Sequence, residues 1–536
     1  MPTQTIKNIL ARYDLGHYVP TEENRLFLFD VEALDLPEVI KILKHTHKLP
    51  LKTVVATDER EEGVFKIRYV FGVPQEKQKN IFIVPTLTID KYLQAFPSLT
   101  PLDQELSVYE EEIKTFFGLL PMGHPRARRT ILHEENYPSN TTPLLKDFQW
   151  NKKIKSPLRE AIKAPAFQKF EGEDVYEVPV GPVHAGIIEP GHFRFSVLGE
   201  EMLRLEPRLG YVHKGTEKLF EALPIEQKLK LSERISGDSS YHHALAFVQA
   251  LETMSATAVP ERGKLLRVVY AELERLANHF NDLAFIMLDT GLSFGGSHGT
   301  RLRERVLQWN EKLTGSRFLR GVVVPGGVSS TSDIDKTMVD TLADDLELLE
   351  NDWQEVKEAV TESESFLQRA EGTGKLDPEI AKDHGVVGIA ARAVGISIDA
   401  RRDFPYAGYD AIQFDVPTET SGDVYARFMI RVREVDESFR ILNQILTLLP
   451  YHTSPIALPL QTLPKSASGV GIVEGWRGDI VYFVMTDKDG VITRVKVRDP
   501  SFLNWKIFPY VVQNDMLPDF PLINKSFNLS YTGNDL

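Results

Sequence analysis

No cysteine occurs anywhere in this 536-residue chain, and that absence excludes every fold held by disulfides, a zinc ribbon or an iron–sulfur cluster. The fold must rest on apolar burial, hydrogen bonds and ion pairs, and any metal would have to sit on His, Asp and Glu. Hydrophobic residues make up 42% and charged residues 26%, an ordinary globular composition with ample material for a large core and a length that suggests two to four domains. Lys and Arg number 62 against 76 Asp and Glu, a net charge of −14. The basic residues are dispersed, which argues against a nucleic-acid footprint or an anionic membrane surface, so protein partners are expected. No stretch approaches the ~20 apolar residues that cross a bilayer. The start, Met1-Pro-Thr-Gln-Thr-Ile-Lys, lacks the pattern of a secretory signal, and the chain reads as cytosolic, with docking on a membrane partner still open to it.

Residues 25–88 carry strand signals at Arg25–Val31, Thr53–Ala56, Phe65–Phe71 and Asn80–Val84. In the third, Phe65, Ile67, Tyr69 and Phe71 share one face while Lys66 and Arg68 take the other, the period of a half-buried antiparallel strand. With helical spacing over Val31–His45, this predicts an α+β fold that starts with an α/β sandwich. The polar, Pro-interrupted stretch after residue 138 predicts a linker. Beyond about residue 205 the pattern is mainly helical. Leu265–Leu288 and Lys336–Ala370 are long amphipathic stretches, the second with Leu342, Leu346, Leu349, Trp353, Val356 and Val360 on one stripe. Two strands joined by a turn are expected at Ile480–Met485 and Val491–Val497.

Gly295-Gly-Ser-His-Gly299 lacks the Lys and spacing of a phosphate-binding loop and follows no strand, so a tight turn is expected there, as at Pro325-Gly-Gly327. His242 and His243 follow the hydroxyls and carboxylate of Ser236–Tyr241, a grouping suited to proton shuttling or ligand contact. Neither His has a metal-ligand partner at i+4, and a helix start capped by Ser or Asp is the expected structure. For Arg401-Arg402-Asp403 an ion-pair network is expected.

Several strings together resemble the large subunit shared by respiratory complex I (its 49-kDa subunit) and group 4 membrane-bound nickel–iron hydrogenases. They are Gly181-Pro-Val-His184, Glu189–Phe193, Arg208–Lys218, Glu272–His279, Asp399–Tyr409 and Gly422–Arg427. Upstream, Glu110–Gly118 and Gly123–Arg129 resemble the 30-kDa subunit of complex I. The resemblance implies a fusion: residues 1–138 as a 30-kDa-like α+β domain, 139–170 as linker, and 171–536 as a mainly helical bundle domain with peripheral β-structure.

In the hydrogenases two Cys-x-x-Cys pairs hold nickel and iron through soft thiolates. Here the first pair falls on Ser236 and Ser239 and the second on Ser530 and Gly533, so the resemblance implies no nickel–iron centre and argues against hydrogenase activity. Complex I uses the corresponding region for quinone reduction beside an iron–sulfur cluster in a neighbouring small subunit. Its quinone-contacting tyrosine aligns with Gly237, and its histidine falls near Ile188–His192. The resemblance thus points to His192, Tyr241, Arg401 and Arg402 as a candidate quinone pocket. Glu217 and Asp238 become candidates for proton transfer, Glu217 on condition that burial raises its pKa.

The function implied is that of a cytoplasmic-side subunit of a membrane-bound oxidoreductase like complex I or hydrogenase-4, peripheral on the inner face of the membrane. It would bind no cofactor itself apart from quinone. Its expected partners are a small iron–sulfur subunit and antiporter-like membrane subunits, with no nucleic acid. The alternative is a non-catalytic structural subunit that couples such a complex to ion or solute transport.

Overall fold

The computed structural model describes residues 10–74, 80–154, 167, 172, 174–184, 188–450 and 455–536. Its N-terminal part is a five-stranded mixed sheet of β1 (Thr21–Glu23), β2 (Leu26–Val31), β3 (Leu51–Glu59), β4 (Val64–Val73) and β5 (Ile81–Asp90), in the order β1-β2-β5-β4-β3. Within this sheet only β2 and β5 run parallel. Helices α1 (Leu36–Lys41) and α2 (Leu106–Phe117) supply apolar residues such as Leu36, Ile40, Tyr109 and Ile113 to the core on one face.

The other face of this sheet is also buried. Val55, Val70, Phe82 and Val84 pack on Phe404, Ile472, Val481 and Phe483 from the far end of the chain. The half-buried strand expected at Phe65–Phe71 is therefore covered on both sides, and Arg68 is buried with its guanidinium on Thr57 Oγ1 at 2.8 Å and Glu59 at 2.9 Å. Burial of that charge is tolerable because it is paired and hydrogen-bonded. Residues 155–166 and 168–170 of the linker expected at 139–170 lie outside the described residues. At its described start, Leu144 is buried in the N-terminal core, and Lys146 donates its backbone N–H to Asp58 and its ammonium to Thr493 O.

A second sheet follows, the antiparallel β6 (Val175–Val180), β7 (His192–Leu198) and β8 (Glu201–Arg208). Then comes the helical body: α3 (Thr216–Ala222), α4 (Ile225–Ser232), α5 (Ser240–Ser255), α6 (Glu261–Asp289), α7 (Ser293–Thr314), α8 (Lys336–Thr361), α9 (Glu364–Ala370), α10 (Ala400–Asp403) and α11 (Val424–Leu448). The single helix expected over Lys336–Ala370 breaks at Glu362–Ser363 into α8 and α9. Its stripe from Leu342 to Val360 is buried, as the spacing requires.

Gly295, Gly296 and Gly299 form no tight turn: they lie inside α7. A Cβ on Gly296 would stand 2.3 Å from Leu288 Cγ and one on Gly299 2.9 Å from Ala284 Cβ, so these glycines let α7 approach α6 closely. Pro325-Gly-Gly327 does turn the chain, between the paired strands Val323–Val324 and Gly327–Val328.

The last sheet is β9 (Ser468–Gly475), β10 (Gly478–Thr486) and β11 (Ile492–Arg498), antiparallel throughout. The two expected strands are β10 and β11, and β9 is a third that glycines conceal. A Cβ on Gly471 would meet Ala246 O at 1.9 Å, so these glycines mark where α5 lies directly on the strand rather than a break in it. The tail ends in α12 (Tyr531–Asp535). Strand β11 joins the two halves: Arg498 Nε donates to Lys52 O at 2.9 Å, Arg494 Nε to Ala56 O at 3.1 Å and Lys496 Nζ to Glu112 at 2.5 Å.

Candidate functional site

The turn that enters α5 meets the C-terminal tail. Ser236 Oγ donates to Asp238 Oδ1 at 2.7 Å and lies 2.9 Å from Ser530 Oγ, 294 residues away in the chain. Ser530 Oγ accepts the N–H of Gly533 at 2.9 Å and so caps α12. Ser239 is buried in the same turn, its N–H on Ser236 O. The expected cap of α5 comes instead from α6: the carboxylate of Glu274 accepts the N–H groups of Tyr241 at 2.7 Å and His242 at 3.2 Å, with His242 Nδ1 2.5 Å away.

Asp238 is gripped by both Nη atoms of Arg477 at 2.7 Å, and its carbonyl accepts from Asn278 and Trp476. Burial raises the Asp238 carboxyl, but Arg477 outweighs burial and holds it below the ordinary carboxylate range, the expected effect of an opposite charge at contact distance. Asp238 is therefore a fixed anion at neutral pH. At Gly533 the space for a side chain is already filled, since a Cβ there would stand 2.5 Å from the carboxyl carbon of Asp499. That carboxylate lies 3.0 Å from His243 Nε2 and accepts the Ser501 N–H.

The donor set does not fit a nickel–iron centre. It offers hydroxyls already committed to one another, a carboxylate locked on a guanidinium and a glycine overlain by Asp499. Among the described residues no group of three or more His, Asp or Glu is arranged to hold a metal ion. Overpacking predicts that Gly533→Cys lowers stability by about 1–3 kcal/mol, read as a fall in the urea midpoint. Cysteines restored at 236, 239, 530 and 533 together are expected to bind no stoichiometric nickel in metal analysis of the purified protein.

Glu217 sits on α3 facing β11. Its carboxylate accepts Arg494 Nη1 at 2.7 Å and the Val497 N–H at 3.0 Å, with Lys496 Nζ at 3.2 Å. Burial pushes its pKa up, yet Arg494 and Lys496 bring it below the ordinary value, so the condition attached to its proton role is not met. The raised group is its neighbour Glu112, pushed up by burial.

The four candidate quinone residues do not gather around one cavity. Tyr241 is fully buried, with its hydroxyl donating to Arg267 O at 3.0 Å. His192 opens β7 with Nδ1 3.2 Å from Gly181 O and a buried Nε2 that has no hydrogen-bond partner among the described residues. Arg401 is sealed between Asp399 and Glu272. Arg402 turns the other way, to Asp403 and Ser397, with its side chain 37% exposed.

Arg401 belongs to a buried ion network that the sequence only half discloses. Glu272, Arg275 and His279 occupy one face of α6 at i, i+3 and i+7 spacing. Glu434 on α11 accepts from Arg392 and lies 2.8 Å from His279 Nε2 and 3.4 Å from Arg275 Nη1. Arg392 reaches Glu474 on β9 at 2.9 Å, and Glu474 also accepts the Ala400 N–H at 2.9 Å. Arg275, Arg401 and hydrogen bonds from Tyr409 and Ser438 overcome burial and hold Glu272 at about 2. Burial takes His279 down to about 4. Glu474 goes the other way, to about 7, through burial and the nearby charge of Asp399. Glu434, Glu474, Arg392 and Arg477 were not singled out from the sequence. A faint signal existed in α11, where Arg427, Arg431 and Glu434 share a face that the apolar pattern marks as core.

Comparison with known proteins agrees with this architecture. The family model for the respiratory-chain NADH dehydrogenase 30 Kd subunit matches residues 29–154, and that for the 49 Kd subunit matches 289–468 and 460–535. Formate hydrogenlyase subunit 5 of Escherichia coli (strain K12) is 30% identical over 93% of this chain and 87% of its own length. Hydrogenase-4 component G of the same organism is also 30% identical, over 93% and 86%. NADH-quinone oxidoreductase subunit 4 of Thermus thermophilus is 33% identical over 66% of this chain and 92% of its own. A chain in the structure of the membrane-bound sulfane sulfur reductase (MBS), an archaeal respiratory membrane complex, superposes with a TM-score of 0.63 at 26% identity, covering 68% of this chain and 99% of that one. The chain belongs to the family of complex I and hydrogenase-4 large subunits, as a fusion of 30-kDa-like and 49-kDa-like domains that has no cysteine at the nickel–iron ligand positions.

Proposed function

We propose that this chain is the peripheral subunit of a membrane-bound complex I-like oxidoreductase that works without a nickel–iron centre, linking electron transfer from a partner's iron–sulfur cluster to ion translocation by membrane subunits. The observation that carries this reading is the contrast at the old metal position. Ser236, Ser530, Asp238 and Arg477 bond to one another there, while a buried ion-pair network on α6, α11 and β9 surrounds it. No helix among the described residues is long and apolar enough to cross a membrane, in keeping with attachment through a small iron–sulfur subunit and antiporter-like membrane subunits on the inner face. Quinone is the proposed acceptor, with His192 the candidate best placed to meet it because its buried Nε2 lacks a hydrogen-bond partner among the described residues.

The intact complex, purified and assayed, should contain no stoichiometric nickel and take up no hydrogen, and should reduce a short-chain quinone. His192→Ala is expected to lower the quinone-reduction rate roughly 10²-fold or more, the range for a positioned acid–base group. Hydrogen uptake with stoichiometric nickel would overturn the reading.

A second reading, a non-catalytic coupling subunit, is favoured by the enclosure of Tyr241 and Arg401. It predicts that quinone titration leaves electron transfer unchanged in Tyr241→Phe, His192→Ala and Glu217→Gln combined.

A further inference from the structure

Between α6, α7 and the Ser236–Ser240 turn lies a cavity of about 150 Å³, lined by Asp238, Glu274, Asn278, Arg303, Leu307 and Asn310 among others. Gly237 forms part of its wall. A Cβ there would find only Arg320 Nη2 within 4 Å, at 3.9 Å. The room corresponds to roughly five waters at ~30 Å³ each. Of the family-derived positions, Asp238 lines it, as does Gly237, where the tyrosine of complex I aligns.

Two side chains in this wall each leave a buried polar atom without a hydrogen-bond partner among the described residues. Arg303 has a buried Nε without a hydrogen bond, and no carboxylate among the described residues forms an ion pair with it. The carboxylates that favour its charge are Glu304, Asp238 and Asp282. Each is engaged elsewhere: Glu304 with Arg317 at 2.6 Å, Asp238 with Arg477, and Asp282 with Arg431 at 2.8 Å and Asn528. The second group is Asn310, one α-helical i+7 step further along the same face. It is 1% exposed, its Nδ2 donates to Arg317 O at 3.1 Å, and its Oδ1 accepts nothing.

Arg303 is only half-buried, but its buried Nε is unpaired and it meets no carboxylate among the described residues, and its planar fork matches a carboxylate better than any other small acceptor. A buried amide oxygen without a donor is costly as well. Ala277, Leu307 and Leu319 supply apolar wall between them.

We infer that this cavity is a binding site for a short hydroxycarboxylate, of the size of glycolate or lactate, whose carboxylate sits on Arg303 and whose hydroxyl donates to Asn310. Asp238 is paired with Arg477, and the Glu274 carboxylate is turned to the start of α5, where it accepts the N–H groups of Tyr241 and His242. The site is independent of the acceptor proposed above, and its test does not involve electron transfer.

The test is calorimetric titration of the purified full-length chain with glycolate and lactate, against acetate, propionate and chloride. One hydroxy acid is expected to bind at one site per chain, at least ~10-fold tighter than the acid lacking the hydroxyl. Arg303→Gln should weaken it at least ~10-fold. Asn310→Leu should keep carboxylate binding and abolish the preference for the hydroxyl. Gly237→Tyr should fill the cavity and remove binding. Circular dichroism and the melting temperature of each unliganded variant check that it is folded. The inference is overturned if no hydroxy acid binds the folded wild-type chain and the cavity holds only water. It is equally overturned if acetate binds as tightly, if folded Arg303→Gln binds undiminished, or if a short-chain quinone competes for the site with equal affinity in that variant.

Discussion

Glu434→Ala is expected to destabilise the chain by about 3–5 kcal/mol, the cost of removing one partner from a buried ion cluster. Glu434 and its neighbours Arg275, Arg392 and His279 are essentially inaccessible to solvent. Truncation leaves Arg392 only Glu474 and Arg275 only Glu272 as carboxylate partners, with a hole where their shared anion stood. Against a typical total stability of about 5–15 kcal/mol, that loss removes a fifth or more of what holds the fold. The useful comparison is Asp340→Ala, which breaks a 3.5 Å pair with Lys336 whose side chains are 58% and 65% exposed. Solvent screening limits that change to about 0.5 kcal/mol. Urea unfolding of both variants checks the difference. A Glu434→Ala protein within about 1 kcal/mol of wild type would show that the network is not a main source of stability.

Glu474 gives the second large effect, through pH. It lies on β9 directly across from Asp479 on β10, with Arg392 on one oxygen, the Ala400 N–H on the other, and Asp399 close by. Asp479 is itself held anionic by Arg498 and Lys52. The folded state raises the Glu474 pKa from 4.5 to about 7, so it binds the proton more tightly than the unfolded chain does. The stability from this proton is complete below about pH 4.5 and is lost as pH rises through about 7. The full span corresponds to about 3 kcal/mol. His279, lowered to about 4, acts in the opposite sense, adding stability as pH rises from about 4 to about 6.5. The Glu474 contribution is therefore isolated as a difference between two proteins. Unfolding free energies at about pH 5 and about pH 8 should fall more steeply for wild type than for Glu474→Gln, whose amide resembles the protonated acid at every pH. Equal slopes in the two proteins would remove Glu474 as the proton-binding member of the network.

Periodic elements were the most legible. The stripe from Leu342 to Val360 and the alternation Phe65 to Phe71 assign a helix and a strand because each buried face repeats within a few residues. Elements whose patterning answers to a distant neighbour were not legible. Glycines at 469 and 471 hide a strand that α5 overlies, and those at 295–299 resemble a turn yet sit inside a helix because α6 presses against them. Arg68 looks like a solvent-facing residue until the C-terminal sheet covers it.

The candidate site divides along the same line. From the sequence alone came the absence of thiolates at positions 236, 239, 530 and 533, the two-domain order and the motif face Glu272–Arg275–His279. Only the tertiary structure decided that Ser236 and Ser530 meet, that Asp499 occupies the space beside Gly533, and that Glu217 is held as an anion while the Glu474 carboxyl is pushed up to about 7. Residue identity fixes which groups are present and which local face they share. The charge state and free volume at a site depend on what packs against it, and here those neighbours come from strands and helices far away in the chain.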